Sequence, residues 1–158
     1  MKKIENPFAG MEGHNCFGCS PENPFGLNLQ FTLEDDAVLC EWLPGNNYQG
    51  YKNVLHGGIQ ATIMDEIASW SVFVLLKTAG VTTKLEVNYK RPCLITDKPV
   101  KLTSRLEGMD GNVANLYVEL FDSNGKLCTF GNIFYYTFDR EKAKNKLKYP
   151  GYEKFVID

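Results

Sequence analysis

The chain has 158 residues, 44% of them hydrophobic and 23% charged, with a formal net charge of −2. That size and balance fit one globular domain with a real core, and the near-neutral charge gives no electrostatic footprint for nucleic acid. The longest apolar stretch, Ile59 to Leu76, is broken by Gln60, Thr62, Asp65, Glu66 and Ser69, so it reads as a buried helix and not as a membrane span.

Residues 1–24 read as irregular, with Pro7, Gly10, Gly13, Gly18, Pro21 and Pro24 as breakers. The opening residues lack the apolar run of a signal peptide, and five cysteines without an export signal imply free thiols in a reducing cytoplasm. Cys16-Phe17-Gly18-Cys19 has the spacing of a redox or zinc motif. A zinc site needs four ligands, however, and only His14 stands nearby, with no second such pair to complete it. A thioredoxin-type site needs a helix starting at the first cysteine, which this Gly-, Pro- and Asn-rich segment opposes. The pair therefore reads as two ordinary loop thiols, with no metal and no cofactor expected. Asn6-Pro7-Phe8 and Asn23-Pro24-Phe25 echo each other but are too short to mark a repeat.

Alternation begins at Leu27, with Leu29, Phe31 and Leu33 on the same face, and Asp35-Asp36 is a plausible turn into a second strand around Val38, Cys40 and Trp42. Pro44 to Asn53 reads as a loop. A helix is expected from Gly57 or Gly58 to about Lys77, stopped by Gly80. It is apolar nearly all round, so it must be covered on several sides. Four strands then follow, around 84–90, 100–107, 114–120 and 127–138, with hairpin turns at Asp110-Gly111 and Asn124-Gly125. The charged tail from Asp139 reads as a short solvated helix.

Two strands, one long helix and four meandering strands are packed most economically as an antiparallel sheet of about six strands wrapped around the helix. This is the α+β hotdog arrangement, here one domain over 1–158 with a tail from 139 to 158. One such domain leaves part of the helix and a sheet edge uncovered, so a homodimer, or a homotetramer built from dimers, is expected.

His56-Gly57-Gly58, followed after six residues by Asp65, resembles the signature of hotdog-fold acyl-CoA thioesterases of the PaaI-like group, within the 4-hydroxybenzoyl-CoA thioesterase superfamily. Asn15-Cys16-Phe17-Gly18-Cys19 with Asn23-Pro24-Phe25-Gly26-Leu27 is similar to the N-terminal segment of a bacterial branch of that group, and Gln49-Gly50-Tyr51, Val81-Thr82, Tyr89 and Pro92 extend the likeness to Phe138. The resemblance implies hydrolysis of a fatty or aromatic acyl-CoA to free acid and CoA. It implies Asp65 as general base or nucleophile, the Gly57 N–H as the group that polarises the thioester carbonyl, and a Thr82 hydroxyl that orients the acid. His56 joins these as a catalytic candidate. Gly58, Gln49, Thr83 and Arg91 are the candidate substrate-binding residues. Many relatives carry Asn or Gln six residues before the histidine; that position here is Gly50, with Gln49 adjacent.

The chemistry suits these residue types. Thioester hydrolysis develops an oxyanion, which bare N–H groups at a helix start can stabilise. A carboxylate two turns further in can activate water or attack the carbonyl itself. Each candidate also has a structural reading: His56 as a loop brace, the glycines as turn residues, Asp65 as a hydrogen-bonded structural acid, Thr82 as an ordinary strand-start residue. Glu66, ~100° further round the helix, reads as a structural acid. Lys84, Lys90 and Arg91 could meet CoA phosphates or simply face solvent. Gly57 and Asp65 are ~12 Å apart along one helix, at ~1.5 Å per residue. One carbonyl carbon must lie ~3 Å from both groups. The expectation is therefore a site shared between two copies. A dehydratase or hydratase of acyl thioesters, and a non-catalytic acyl-CoA-binding domain, are the alternatives on the same fold.

Overall fold

The computed structural model describes residues 1–157. Seven strands form one antiparallel sheet in the order β1-β2-β3-β5-β6-β7-β4. They are β1 (Lys2–Ile4), β2 (Phe31–Glu34), β3 (Ala37–Trp42), β4 (Gly80–Tyr89), β5 (Val100–Asp110), β6 (Val113–Phe121) and β7 (Leu127–Thr137). The long helix α1 (Gly57–Leu75) packs against β3 to β7, and a short helix α2 (Arg140–Leu147) follows β7.

The alternation that marked β5–β7 is what buries their inner faces. Ala114, Leu116, Val118 and Leu120 of β6 are fully buried, as are Leu102 and Ser104 of β5 and Ile133 of β7. Against them α1 buries Ile63, Met64, Ile67, Trp70 and Val74. Trp70 is 2% exposed and stacks on Phe31, with Phe155 from the C-terminal tail at its edge. The polar residues on the helix's covered face are paired, as burial demands. Gln60 donates to the Leu55 carbonyl at 2.8 Å and accepts from Thr129, and the Ser71 and Ser104 hydroxyls meet at 2.7 Å.

Four details depart from the sequence reading. The region expected to be irregular contributes β1, which adds a seventh strand by pairing with β2. The strand expected from Leu27 begins only at Phe31. Leu27 and Leu29 are buried as expected, but their N–H groups go to the Phe17 and Gly18 carbonyls, and Asn28 between them takes φ 49°. The periodicity thus reported burial correctly while the hydrogen-bond partner was a loop. Lys77, at φ 54°, ends α1 in the left-handed conformation; Gly80 instead opens β4. There a Cβ would lie 2.4 Å from the Tyr136 carbonyl oxygen, which explains that glycine. The β5–β6 hairpin turns at Gly111-Asn112, one residue later than expected. The tail does form a helix, capped by Asp139, whose carboxylate accepts from the Lys142 N–H at 2.9 Å.

The sheet has two edges. β1 is only three residues long, a common way to blunt an edge. β4 is ten residues long and exposed along most of its length, with Leu85 42% and Tyr89 51% accessible.

Candidate active site

His56 caps α1. Its Nδ1 accepts from the Gly58 N–H at 2.9 Å, and its carbonyl accepts from Gln60 N. The imidazole therefore braces the helix start, and it occupies the Gly58 amide that had been a candidate for substrate. The Gly57 N–H takes part in no hydrogen bond among the described residues. The Gly57 carbonyl accepts from the Tyr89 hydroxyl at 2.6 Å. A Cβ on Gly57 would meet only the Tyr89 ring at 3.5 Å, an ordinary contact, so packing within one chain does not require glycine there.

Eight residues on, along the same uninterrupted helix, Asp65 is held from the sheet. Thr82 Oγ1 donates to its Oδ1 at 2.9 Å, and Tyr135 Oη donates to the same oxygen at 2.7 Å and to the Asp65 carbonyl at 3.0 Å. Thr82 and Tyr135 are directly opposed across β4 and β7. The register slips between Thr82 and Lys84, and such a bulge re-aims side chains. Thr83, the extra residue, spends its hydroxyl on the Phe134 carbonyl at 3.2 Å. Burial, then the adjacent Asp65 charge, pushes the Tyr135 phenol far above its ordinary range, so it keeps its proton and remains a donor. Asp65 Oδ2 accepts no hydrogen bond from any described residue. Asp65 is half-buried in the single chain and not sunk in the core, because no other described element covers the outer side of β4 and this flank of α1.

The other candidates separate. Gln49 Oε1 accepts from Asn53 N at 3.1 Å, bracing a turn in which Asn53 takes the left-handed conformation at φ 60°. Arg91 is exposed just beyond Tyr89, at the Gly57 end of β4, while Lys84 pairs with Glu86 at 2.6 Å. Glu66 points away from Asp65, as expected, and accepts from Trp70 Nε1 at 3.1 Å. Tyr135 and Tyr89 carry geometry that the sequence did not assign to them. The available signal for Tyr135 was a hydroxyl on the inward face of the last strand, next to Ile133 and opposite Thr82.

Asp65 is tied to the Thr82 end of β4 and Gly57 to the Tyr89 end. Those ends lie roughly 20 Å apart at ~3.3 Å per residue. The two groups therefore do not converge within one chain.

Residues 52–129 match the family model described as the thioesterase superfamily. An uncharacterized protein of Schizosaccharomyces pombe is 37% identical over 68 residues, 41% of this chain and 39% of the yeast protein. A crystallised thioesterase superfamily protein superposes with a TM-score of 0.66 at 25% identity, over 73% of this chain and 57% of its own. A hypothetical thioesterase of Streptococcus pneumoniae, crystallised with coenzyme A, gives 0.65 at 18% identity, over 72% and 90% of the two chains. A Streptococcus mutans protein bound to acetyl-CoA gives 0.64 at 16%, again over 72% and 90%. The chain thus spans less than two thirds of the yeast protein and of the first of these structures. Fold and family match point the same way: the chain has a hotdog fold, and about half of it, residues 52–129, is similar to the thioesterase superfamily. No helix among the described residues is long and apolar enough to cross a membrane.

Proposed function

We propose that this protein hydrolyses an acyl-CoA thioester to free acid and CoA, as its PaaI-like motifs imply, at sites each shared by two copies of the chain. The reading rests on one observation: Asp65, beside the Thr82 end of β4, has one oxygen fixed by two hydroxyl donors and the other without a donor among the described residues, while the Gly57 amide, unpaired among the described residues, lies beside the Tyr89 end of β4.

Pairing of β4 with a second β4, antiparallel about a two-fold axis near its middle, brings the Thr82 end of one copy to the Tyr89 end of the other. It also gives the exposed edge strand a partner and covers Leu85. The thioester carbonyl then accepts from the Gly57 N–H of one copy. Asp65 of the other presents Oδ2 either to a water, whose proton it takes, or to the carbonyl carbon directly. Thr82 and Tyr135 hold the carboxylate plane while charge moves. His56 positions the amide by capping the helix. Arg91, at the Gly57 end, is the cation available to CoA phosphates. The relatives crystallised with coenzyme A and acetyl-CoA support this ligand class.

The test is thiol release from a panel of acyl-CoAs of varied chain. Prompt release, reduced at least ~100-fold by Asp65→Asn, supports the reading. Water addition to enoyl-CoA, or tight binding without release, overturns it.

A further inference from the structure

Behind Asp65, on the next residue of α1, a second cluster forms that hydrolysis does not use. Glu66 Oε1 lies 3.5 Å from Cys16 Sγ, and the donor atoms of Cys16, Cys19 and Glu66 all fall within 4.8 Å of one another. The loop that delivers the cysteines is held from both sides. The two Asn-Pro-Phe echoes make the same turn twice. Asn6 accepts from Phe8 N at 3.1 Å and donates to the Cys19 carbonyl at 2.9 Å, while Asn23 accepts from Phe25 N at 3.0 Å and donates to the Asn15 carbonyl at 3.1 Å. Gly18 closes over the carboxylate so tightly that a Cβ would lie 2.5 Å from Glu66 Oε2. Cys19 is 5% exposed and Cys16 half-buried. Beside the cluster is a cavity of about 270 Å³, lined also by His14, whose buried Nε2 has no hydrogen-bond partner among the described residues.

We propose that Cys16, Cys19 and Glu66 bind a divalent transition metal, zinc by ligand type, with the fourth position opening toward His14 and the cavity. Tetrahedral zinc with Zn–S near 2.3 Å and Zn–O near 2.1 Å separates sulfur from oxygen by ~3.6 Å, which the Cys16–Glu66 distance of 3.5 Å matches. Trp70 Nε1 holds the same carboxylate oxygen from behind, the outer support that metal ligands usually have. The protonation chemistry is consistent. Hydrogen bonds from the Cys19 thiol, and from the Cys19 and Gly18 amides, lower the Cys16 thiol to about 5. Burial, then the Cys16 charge, raises Glu66 to about 7. Thiol and carboxyl ligands bind a metal ion in their deprotonated forms, so uptake of the ion releases whatever protons they hold. The sequence reading stopped at two cysteines and a histidine because the acid comes from the helix, fifty residues away. The bound ion would staple the N-terminal loop to α1 one residue beyond Asp65.

The test uses the full chain, purified under reducing conditions and stripped with a chelator, then titrated with Zn²⁺ and with Co²⁺. Expected are one ion per chain, a thiolate-to-cobalt charge-transfer band with tetrahedral d–d bands, and a Tm that rises with zinc. Cys16→Ser should weaken zinc binding at least ~100-fold and remove the charge-transfer band. Glu66→Gln, which keeps the side-chain shape, should weaken binding ~10- to 100-fold while leaving the chain folded. Absence of a cobalt band and of zinc uptake in the wild-type chain, with both thiols shown reduced by titration, overturns the proposal. Recovery of Cys16 and Cys19 as a disulfide that reducing agents turn over, without metal uptake, also overturns it in favour of a redox pair. None of these readouts depends on thioester hydrolysis.

Discussion

Tyr135 donates a 2.7 Å hydrogen bond to Asp65 across 70 residues of chain, from the strand that also pairs with the one carrying Thr82. The carboxylate is therefore oriented by the sheet and not by its own helix. Replacing Tyr135 by Phe, or Thr82 by Val, should lower kcat ~10-fold each with KM little changed, because each donor steadies the acid and neither touches the acyl group. The double variant should lose less than the product of the two, since both donors act on one oxygen. Saturation kinetics on both single variants decide this, and unchanged kcat in both would remove the orienting role.

The shared site predicts complementation. Asp65→Asn and Gly57→Val chains should each be inactive alone. A mixed dimer, isolated through two different tags, should recover about half the wild-type rate, since one of its two sites is intact. An inactive mixed dimer made of folded chains would refute sharing.

Dimerisation is expected to run through β4. Leu85 is 42% exposed in the single chain, so Leu85→Glu should change the stability of the isolated fold by no more than ~0.5 kcal/mol. In a β4–β4 interface it buries a charge and should yield monomers in sedimentation equilibrium, with hydrolysis lost in parallel. A variant that remains dimeric and active would place the interface elsewhere.

Gln60 supports the start of α1 from inside the core. Gln60→Leu removes the donor to the Leu55 carbonyl and the acceptor for the Thr129 hydroxyl, both buried. Leaving the two unsatisfied should cost about 2–4 kcal/mol of stability. Urea denaturation at constant m-value checks this.

Periodicity was a sound guide to which residues face inward and a weaker one to their partners. Leu27 and Leu29 are buried as their alternation indicates, yet they pair with the Cys16–Cys19 loop. Lys2–Ile4 became a strand only because β2 offers it an edge. The left-handed turn at Lys77 has no glycine to announce it.

The sequence by itself determined the one long helix apolar on most sides, the antiparallel meander around it, the capped glycine start and the acid two turns on. All of these follow from side-chain period and backbone preference, which are local properties. Only the tertiary structure decided that Tyr135 joins Thr82 on Asp65, that Gly58 is occupied by His56, and that Glu66 meets Cys16 and Cys19. Those are contacts between distant segments, set by strand register and by how the N-terminal loop lies on the helix, and no local pattern encodes either.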